Sequence, residues 1–139
     1  LMYIAHTMLT TASPEKIWKM WTDVNNWKKW DITLRSSRIK DSFKKNVHGV
    51  IIPDRGPKAG FKVIACDPNF SYTVMAKLPF AAFHIHRFLG YDNSKTTFTH
   101  EVWAEGPLAW VWWNILGKRL SKMLPASMSN IKQLAEGDM

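Results

Sequence analysis

The stretch S-P-E-K-I-W-K-M-W-T-D-V-N-N-W-K-K-W-D at residues 13–31 decides how this chain is organised. Its start predicts a helix, because Ser13 is a suitable N-cap and Pro14 occupies the first helical position. Asp23 is placed to cap a short second helix that ends near Trp30. Two short helices directly after a first strand predict a corner that plugs one end of a sheet.

About 75 residues of alternating apolar and polar positions follow this corner. The clearest segment is residues 70–78, in which one face carries Phe70, Tyr72, Val74, Ala76 and Leu78. Clusters of Pro, Gly, Asp and Asn, such as P-D-R-G-P at 53–57, separate the segments. Six or seven short strands joined by short turns are typical of an antiparallel sheet.

The end of the sequence predicts one long amphipathic helix from about residue 107 to residue 136. Apolar residues recur there at three- and four-residue steps, among them Leu108, Trp112, Ile115, Leu116 and Leu120. Pro125 lies inside this pattern and predicts a kink or break near residues 121–125. A sheet that curls around this helix would bury both apolar faces and leave a pocket between them.

Composition restricts the class of protein further. A length of 139 residues fits one domain spanning 1–139, and a hydrophobic fraction of 46% excludes disorder. Eight Trp residues are more than a core of this size needs, and large rings are favoured as lining of apolar ligand sites. The formal net charge of +8 is scattered in pairs such as Lys28–Lys29, which indicates a solvated basic surface rather than a nucleic-acid partner.

The sequence also bears on the compartment in which the protein works. A single cysteine, Cys66, excludes an internal disulfide and fits a reducing compartment. The first ten residues are too polar for a secretory signal, and the longest apolar window, residues 107–116, is about half a membrane span. We therefore expect a cytoplasmic protein that is a monomer or a homodimer.

Five pieces of the sequence, in this order, resemble the START/Bet v 1-like (SRPBCC) superfamily, and within it the polyketide cyclase/dehydrase-like proteins. They are P-E-K-I-W-K-M-W-T-D at 14–23, W-K-K-W-D at 27–31, G-F-K-V-I-A-C-D-P at 60–68, T-H-E-V-W-A-E-G-P-L-A at 99–109 and L-P-A-S-M-S-N-I-K-Q-L-A-E-G at 124–137. The resemblance implies an α+β helix-grip fold, a curved antiparallel sheet around a C-terminal helix with a cavity between them. The resemblance also implies a broad range of functions, from hydrophobic ligand carriers and lipid transfer domains to aromatase/cyclase enzymes, so it leaves the function of this chain open.

The histidines are the sharpest candidates for polar groups on the cavity wall. His84 and His86 share one strand face with Phe88, and on the next strand Phe98 shares a face with His100. If the hairpin closes on residues 91–95, His86 lies opposite His100 and Phe88 opposite Phe98. A slip of one residue puts Ile85 opposite His100 and turns His84 and His86 outward, and Arg87, which is exposed in the first register, then enters the cavity.

A small hydrophobic, aromatic or polyketide-like ligand in this cavity is the function that we predict. His86, His100 and Tyr72 would supply polar or acid–base groups, and Tyr72 needs a hydrogen-bond partner for its inward hydroxyl. The remaining predicted lining residues are Phe88, Phe98, Val102, Val74, Trp112, Ile115 and Trp30. Three histidines could bind zinc, but no carboxylate or cysteine is placed as a fourth ligand, so we expect neither a metal nor a cofactor.

Two further functions stay open at this point. A cyclase/dehydratase-type enzyme would use the same His and Tyr groups to move protons. Alternatively, Trp110 and Trp113 lie off the core stripe of the long helix, beside Lys118, Arg119 and Lys122. An exposed aromatic patch with basic neighbours predicts weak contact with an anionic membrane surface or lipid transfer.

Overall fold

The computed structural model describes residues 2–137 and contains seven strands and a long C-terminal helix. The strands are β1 Tyr3–Thr10, β2 Leu34–Ile39, β3 His48–Pro53, β4 Ala59–Asp67, β5 Ser71–Leu78, β6 Ala81–Asp92 and β7 Lys95–Glu105. The helical segments are α1 Pro14–Thr22, a 3₁₀ helix Val24–Lys29, α2 Ala109–Trp112, a π-helical turn Trp113–Gly117 and α3 Lys118–Glu136. The last three segments are continuous and together form the C-terminal helix.

The strands form one curled antiparallel sheet in the order β1-β7-β6-β5-β4-β3-β2. Strands β1 and β2 are neighbours in sequence but lie at opposite edges, so α1 and the 3₁₀ helix connect the two edges across one end of the sheet. The buried core contains residues from the sheet, from α1 and from α3, among them Val74, Trp21 and Met128. The predicted α+β helix-grip architecture is thereby confirmed.

The corner at residues 13–31 contains the two short helices that its sequence predicts. The Ser13 hydroxyl accepts a hydrogen bond from the Lys16 backbone amide at 3.2 Å, which caps the start of α1. The side chain of Asp23 makes no cap for the 3₁₀ helix, contrary to the prediction. That short helix is held instead by Trp27, whose indole Nε1 donates to the Trp21 carbonyl oxygen at 2.9 Å.

The C-terminal helix differs from the prediction in where it is irregular. The α-helix continues through Pro125, and the irregular turn lies earlier, at Trp113–Gly117. A π-helical turn contains more residues than an α-helical one, so it rotates the following side chains about the helix axis. Ile115, predicted to line the cavity, is 53% exposed, whereas Trp113, predicted to lie off the core, is buried on the same face as Ala109.

The β6–β7 hairpin has a register that differs from the predicted one by a single residue. Asp92 pairs with Lys95, so Asn93 and Ser94 form a two-residue turn with φ values of 50° and 71°. The prediction had assumed a turn one residue longer. His100 therefore lies opposite Arg87 and not opposite His86.

Candidate functional site

Two neighbouring cavities lie between the sheet and the C-terminal helix. The larger has a volume of about 90 Å³ and is lined mainly by apolar side chains such as Ala76, Phe83 and Leu116. The smaller has a volume of about 50 Å³, and its wall includes Trp30 and His100. Five residues line both cavities, which are therefore adjacent: Asp31, Thr33, Ile85, Arg87 and Leu120.

A buried hydrogen-bond network links the sheet to the corner behind these cavities. Arg87 Nη1 donates to the Tyr72 hydroxyl at 2.6 Å, and that hydroxyl donates to the Trp21 carbonyl oxygen at 3.0 Å. The Trp21 indole Nε1 in turn donates to His100 Nε2 at 3.0 Å. The expected partner for the Tyr72 hydroxyl therefore exists, and it belongs to the protein itself.

Arg87 is the charged group at the centre of this site. Its side chain lies on β6 between the inward-facing Ile85 and Leu89, and only 5% of the residue is exposed. The guanidinium carbon lies 5.1 Å from the Trp27 ring centroid, 5.0 Å from that of Trp30 and 5.7 Å from that of Tyr72. These are cation–π distances, so three aromatic rings surround the cation.

His100 is the predicted site histidine that faces the interior. Only 1% of it is exposed, and its ring meets the rings of Trp21, Trp30 and Phe98 at their edges. Burial holds the pKa of His100 well below its usual value of 6.5, and the nearby charge of Arg87 acts in the same direction. The ring is neutral at pH 7, and since Nε2 accepts from Trp21, the proton resides on Nδ1.

The other predicted site residues fall into three groups. Trp30 and Val102 join His100 on the wall of the smaller cavity. Tyr72, Val74 and Phe98 face inward and are fully packed, so the Tyr72 hydroxyl reaches the site only through Arg87. Trp112 is half-buried away from both cavities and donates from Nε1 to the Pro79 carbonyl oxygen at 2.9 Å.

His86 and Phe88 lie on the outer face of the sheet, contrary to the prediction. The one-residue change of register exchanges the two faces of β6, because successive side chains alternate. His86 Nδ1 contacts Glu101 Oε1 at 2.7 Å, and the Tyr3 hydroxyl donates to Glu101 Oε2 at 2.5 Å. The Tyr3 hydrogen bond, followed by that of His86, holds the pKa of Glu101 below its usual value, against the effect of burial.

The exposed β3–β4 loop at residues 54–58 contributes Asp54, Arg55 and Pro57 to the wall of the larger cavity. Arg119 on α3 forms an ion pair with Asp54, and its Nε donates to Asp54 Oδ1 at 3.2 Å. Gly56 adopts φ +116°, and a Cβ atom added to it would lie 2.6 Å from the Leu116 side chain. The loop is therefore held against the C-terminal helix by one ion pair and one close contact.

The sequence analysis placed Arg87, which lines both cavities, in the interior only in the alternative register of the β6–β7 hairpin. A signal was present, since Phe83, Ile85 and Leu89 alternate with His84, His86 and Phe88 and make the more apolar face of β6. Arg87 belongs to that apolar face. Leu116 and Leu120 were recognised as core positions of the helix but not as cavity lining.

The part of the chain that the structure describes contains neither a cluster of metal-ligating side chains nor a helix suited to cross a membrane. Among residues 2–137 no group of three His, Cys, Asp or Glu side chains is arranged to hold a metal ion. In the same residues, the helices fall short of the length and apolar character that crossing a bilayer requires.

Comparison with solved structures identifies the fold class. Protein MLL2253 from Mesorhizobium loti has 15% sequence identity and a TM-score of 0.77, with 99% of this chain and 98% of that chain covered. The Aha1 dimer from Colwellia psychrerythraea has 18% identity and a TM-score of 0.71, with 98% and 97% covered. Ara h 8.0201 has 11% identity and a TM-score of 0.70, with 98% of each chain covered.

The chain therefore has the START/Bet v 1-like helix-grip fold. At these identities the likeness concerns the fold and not the ligand or the chemistry. No family model matches the sequence, and no match was found among curated proteins.

Proposed function

We propose that this protein binds a small hydrophobic, aromatic or polyketide-like molecule in the cavities between its sheet and its C-terminal helix. The observation that supports the proposal is the apolar lining of the larger cavity, where Ala76, Phe83 and Leu116 meet with few polar groups between them. Burial of apolar ligand surface would supply affinity, and the few polar wall groups would set orientation.

The size of the cavities restricts the ligand. One water molecule needs roughly 10–15 Å³ of such volume, so about 90 Å³ accommodates a small molecule rather than a large one. The corner residues Trp21, Trp27 and Trp30 are buried and occupy part of the interior beside these cavities. A single aromatic ring or a short acyl chain suits this space.

Binding rather than catalysis is the simpler role for this site. A cyclase/dehydratase-type mechanism would need His100 or Tyr72 to exchange protons with the ligand. Trp21 already occupies Nε2 of His100, and burial raises the pKa of the Tyr72 phenol while it lowers that of His100. Both shifts move these groups away from proton exchange at neutral pH.

The proposal is tested by native mass spectrometry of the purified protein, followed by denaturing extraction and by thermal-shift titration with aromatic and acyl compounds. A Leu120→Trp variant should fill the space that both cavities share, while Leu134→Trp on the exposed side of the same helix is the matched control. We expect binding to be lost only in Leu120→Trp. Equal binding by both variants, or no binding by the wild type, would refute the proposal. The native mass spectra also show whether the protein is a monomer or a homodimer, which the sequence left open.

Weak docking on an anionic membrane is the second candidate, and an exposed apolar cluster favours it. Phe80 is 73% exposed, Trp110 62% and Leu108 38%, and the Leu108 amide donates to the Phe80 carbonyl oxygen at 3.0 Å. Trp113, which the sequence had assigned to this patch, is buried against Phe83. Sedimentation with phosphatidylserine vesicles at low and high salt tests the idea; Trp110→Ala should reduce binding, and unchanged binding would exclude this surface.

A further inference from the structure

Arg87 is a buried cation without a carboxylate partner. The ion pairs formed within residues 2–137 join other side chains, and none of them includes Arg87. Arginine stays protonated at any physiological pH, so this charge cannot be removed by losing a proton. A buried charge is expensive unless it is paired, and the usual solution in proteins is an anion close by.

The protein supplies only part of that compensation. The rings of Trp27, Trp30 and Tyr72 lie at cation–π distances, and the Tyr72 hydroxyl accepts one hydrogen bond. Arg87 Nε has no hydrogen-bond partner among the described residues. Nε itself is enclosed, but Arg87 lines both cavities, so its guanidinium is the charged group on the wall that they share.

Three of the residues that line the smaller cavity carry hydrogen-bond donors to which no protein acceptor is assigned among the described residues. Trp30 Nε1 is buried without a partner, as is Arg87 Nε, and the neutral His100 carries its proton on Nδ1. All three residues line this cavity. A ligand group that only accepts hydrogen bonds would match this set, and a carboxylate accepts with both oxygens and pairs with a guanidinium in bidentate fashion.

Asp31 is the acidic residue that lines both cavities together with Arg87, so it is the candidate counter-charge for the guanidinium within the protein. Its Oδ1 accepts from the Thr33 amide at 3.0 Å and from the Thr33 hydroxyl at 2.6 Å, and it forms no ion pair with Arg87. A ligand carboxylate in this cavity would meet the Asp31 carboxylate as well as Arg87, and Asp31 would repel it.

We propose that the ligand is a small hydrophobic carboxylic acid whose carboxylate binds Arg87 while its apolar part fills the larger cavity. This inference rests on the proposed function, because it specifies the chemistry of the ligand in the same site. Burial keeps His100 neutral, so among the described residues that line the smaller cavity the positive charge belongs to Arg87.

The test compares each acid with its uncharged counterpart. Isothermal titration at pH 7 would use octanoate against 1-octanol and cinnamate against cinnamyl alcohol. We expect the wild type to bind the acid about tenfold to a hundredfold more tightly than the alcohol, which is the range expected for a charge-assisted hydrogen bond. Equal affinities for acid and alcohol would overturn the carboxylate proposal and leave hydrophobic binding standing, whereas no binding of any of the four would refute hydrophobic binding itself.

Two variants make the result independent of folding defects. Arg87→Met should bind both members of a pair equally, and a retained preference for the acid would overturn the proposal. Asp31→Asn preserves an oxygen for Thr33 and removes the repelling charge, so it should raise affinity for the acid several-fold and leave the alcohol unchanged. A general loss of structure cannot produce that gain, so unchanged or weaker acid binding by a folded Asp31→Asn protein would also count against the proposal.

Discussion

Replacing Tyr72 by Phe tests whether the buried network holds the sheet to the corner. The Tyr72 ring is 1% exposed, and its hydroxyl accepts from Arg87 Nη1 at 2.6 Å and donates to the Trp21 carbonyl oxygen at 3.0 Å. The substitution removes one oxygen atom and leaves the ring, so it creates almost no cavity. Any change in stability therefore reports on the hydrogen bonds rather than on packing.

The expected magnitude follows from what each partner loses. The Trp21 carbonyl oxygen keeps the Trp27 indole as a donor, so its loss is small. Arg87 Nη1 loses its acceptor, and a buried charged donor left unpaired costs roughly 1.5–3 kcal/mol. Together we expect a decrease of about 2–4 kcal/mol in the free energy of unfolding, which is a large share of the roughly 5–15 kcal/mol typical of a domain.

Urea denaturation followed by tryptophan fluorescence measures this change. Tyr91→Phe is the matched control, because Tyr91 is 70% exposed, and there we expect a change within about 0.5 kcal/mol. If Tyr72→Phe is no less stable than Tyr91→Phe, Arg87 does not depend on the Tyr72 hydroxyl, and the charge must be compensated in some other way.

Three further predictions concern His100, Gly117 and Gly56. Burial depresses the pKa of His100 in the folded state, so the unfolded chain binds more protons below about pH 6.5, and the free energy of unfolding should fall between pH 7 and pH 5 by at most about 1.4 kcal/mol per pH unit. A His100→Gln variant should show a flatter dependence of stability on pH, and an equal slope would contradict a neutral, buried His100. Gly117→Ala places a Cβ atom 2.3 Å from the Trp113 indole and should lower the free energy of unfolding, measured by thermal denaturation, by about 1–3 kcal/mol. In the control Gly60→Ala the added Cβ atom lies 3.9 Å from its nearest neighbour, so the loss of stability should be much smaller, and similar losses in both variants would refute the importance of the Gly117–Trp113 contact. Gly56→Ala should loosen the contact between the β3–β4 loop and Leu116, so the backbone amides of residues 54–58 should exchange their hydrogens faster. Unchanged exchange would show that the Arg119–Asp54 ion pair alone holds the loop.

The fold was predictable because each of its signals is local or periodic. The Ser13 cap, the alternation in β5 and the apolar repeat of the C-terminal helix each specify an element from neighbouring residues. Their order then allows few arrangements in which both apolar faces are buried. The sheet curled around a single helix is one of them, and it is the observed one.

The site was only partly predictable because it depends on the register of the β6–β7 hairpin and on which face of the C-terminal helix is buried. Asn93-Ser94 closes the β6–β7 hairpin with two residues, and a loop of three would have placed His86 inside and Arg87 outside. Neither loop length is excluded by the residues themselves, although the apolar alternation of Phe83, Ile85 and Leu89 favours the observed one.

The π-helical turn could not be predicted from the periodic pattern of the helix. The prediction took Leu108 as the start of the buried face, which assigns Ile115 to the core. Leu108 is 38% exposed, and the buried face runs instead through Ala109, Trp113 and Gly117, each four residues apart. Gly117 permits this arrangement because the Trp113 indole occupies the space that a side chain at residue 117 would need. The signal was the pairing of a large ring with a glycine four residues later, which periodicity does not measure.

The corner at residues 13–31 determines the electrostatics of the site as well as the fold. Its tryptophans do more than fill space, since Trp21 fixes the tautomer of His100, Trp27 shares a carbonyl acceptor with Tyr72, and the rings of Trp27 and Trp30 lie beside the Arg87 cation. Rings tolerate a cation better than aliphatic side chains do, so Trp27→Leu or Trp30→Leu would raise the cost of keeping Arg87 inside, in addition to the cost of the lost apolar volume. An anion bound in the cavity would offset that cost. The concentration of tryptophan in this corner is therefore what allows a charge to be kept beside an apolar cavity.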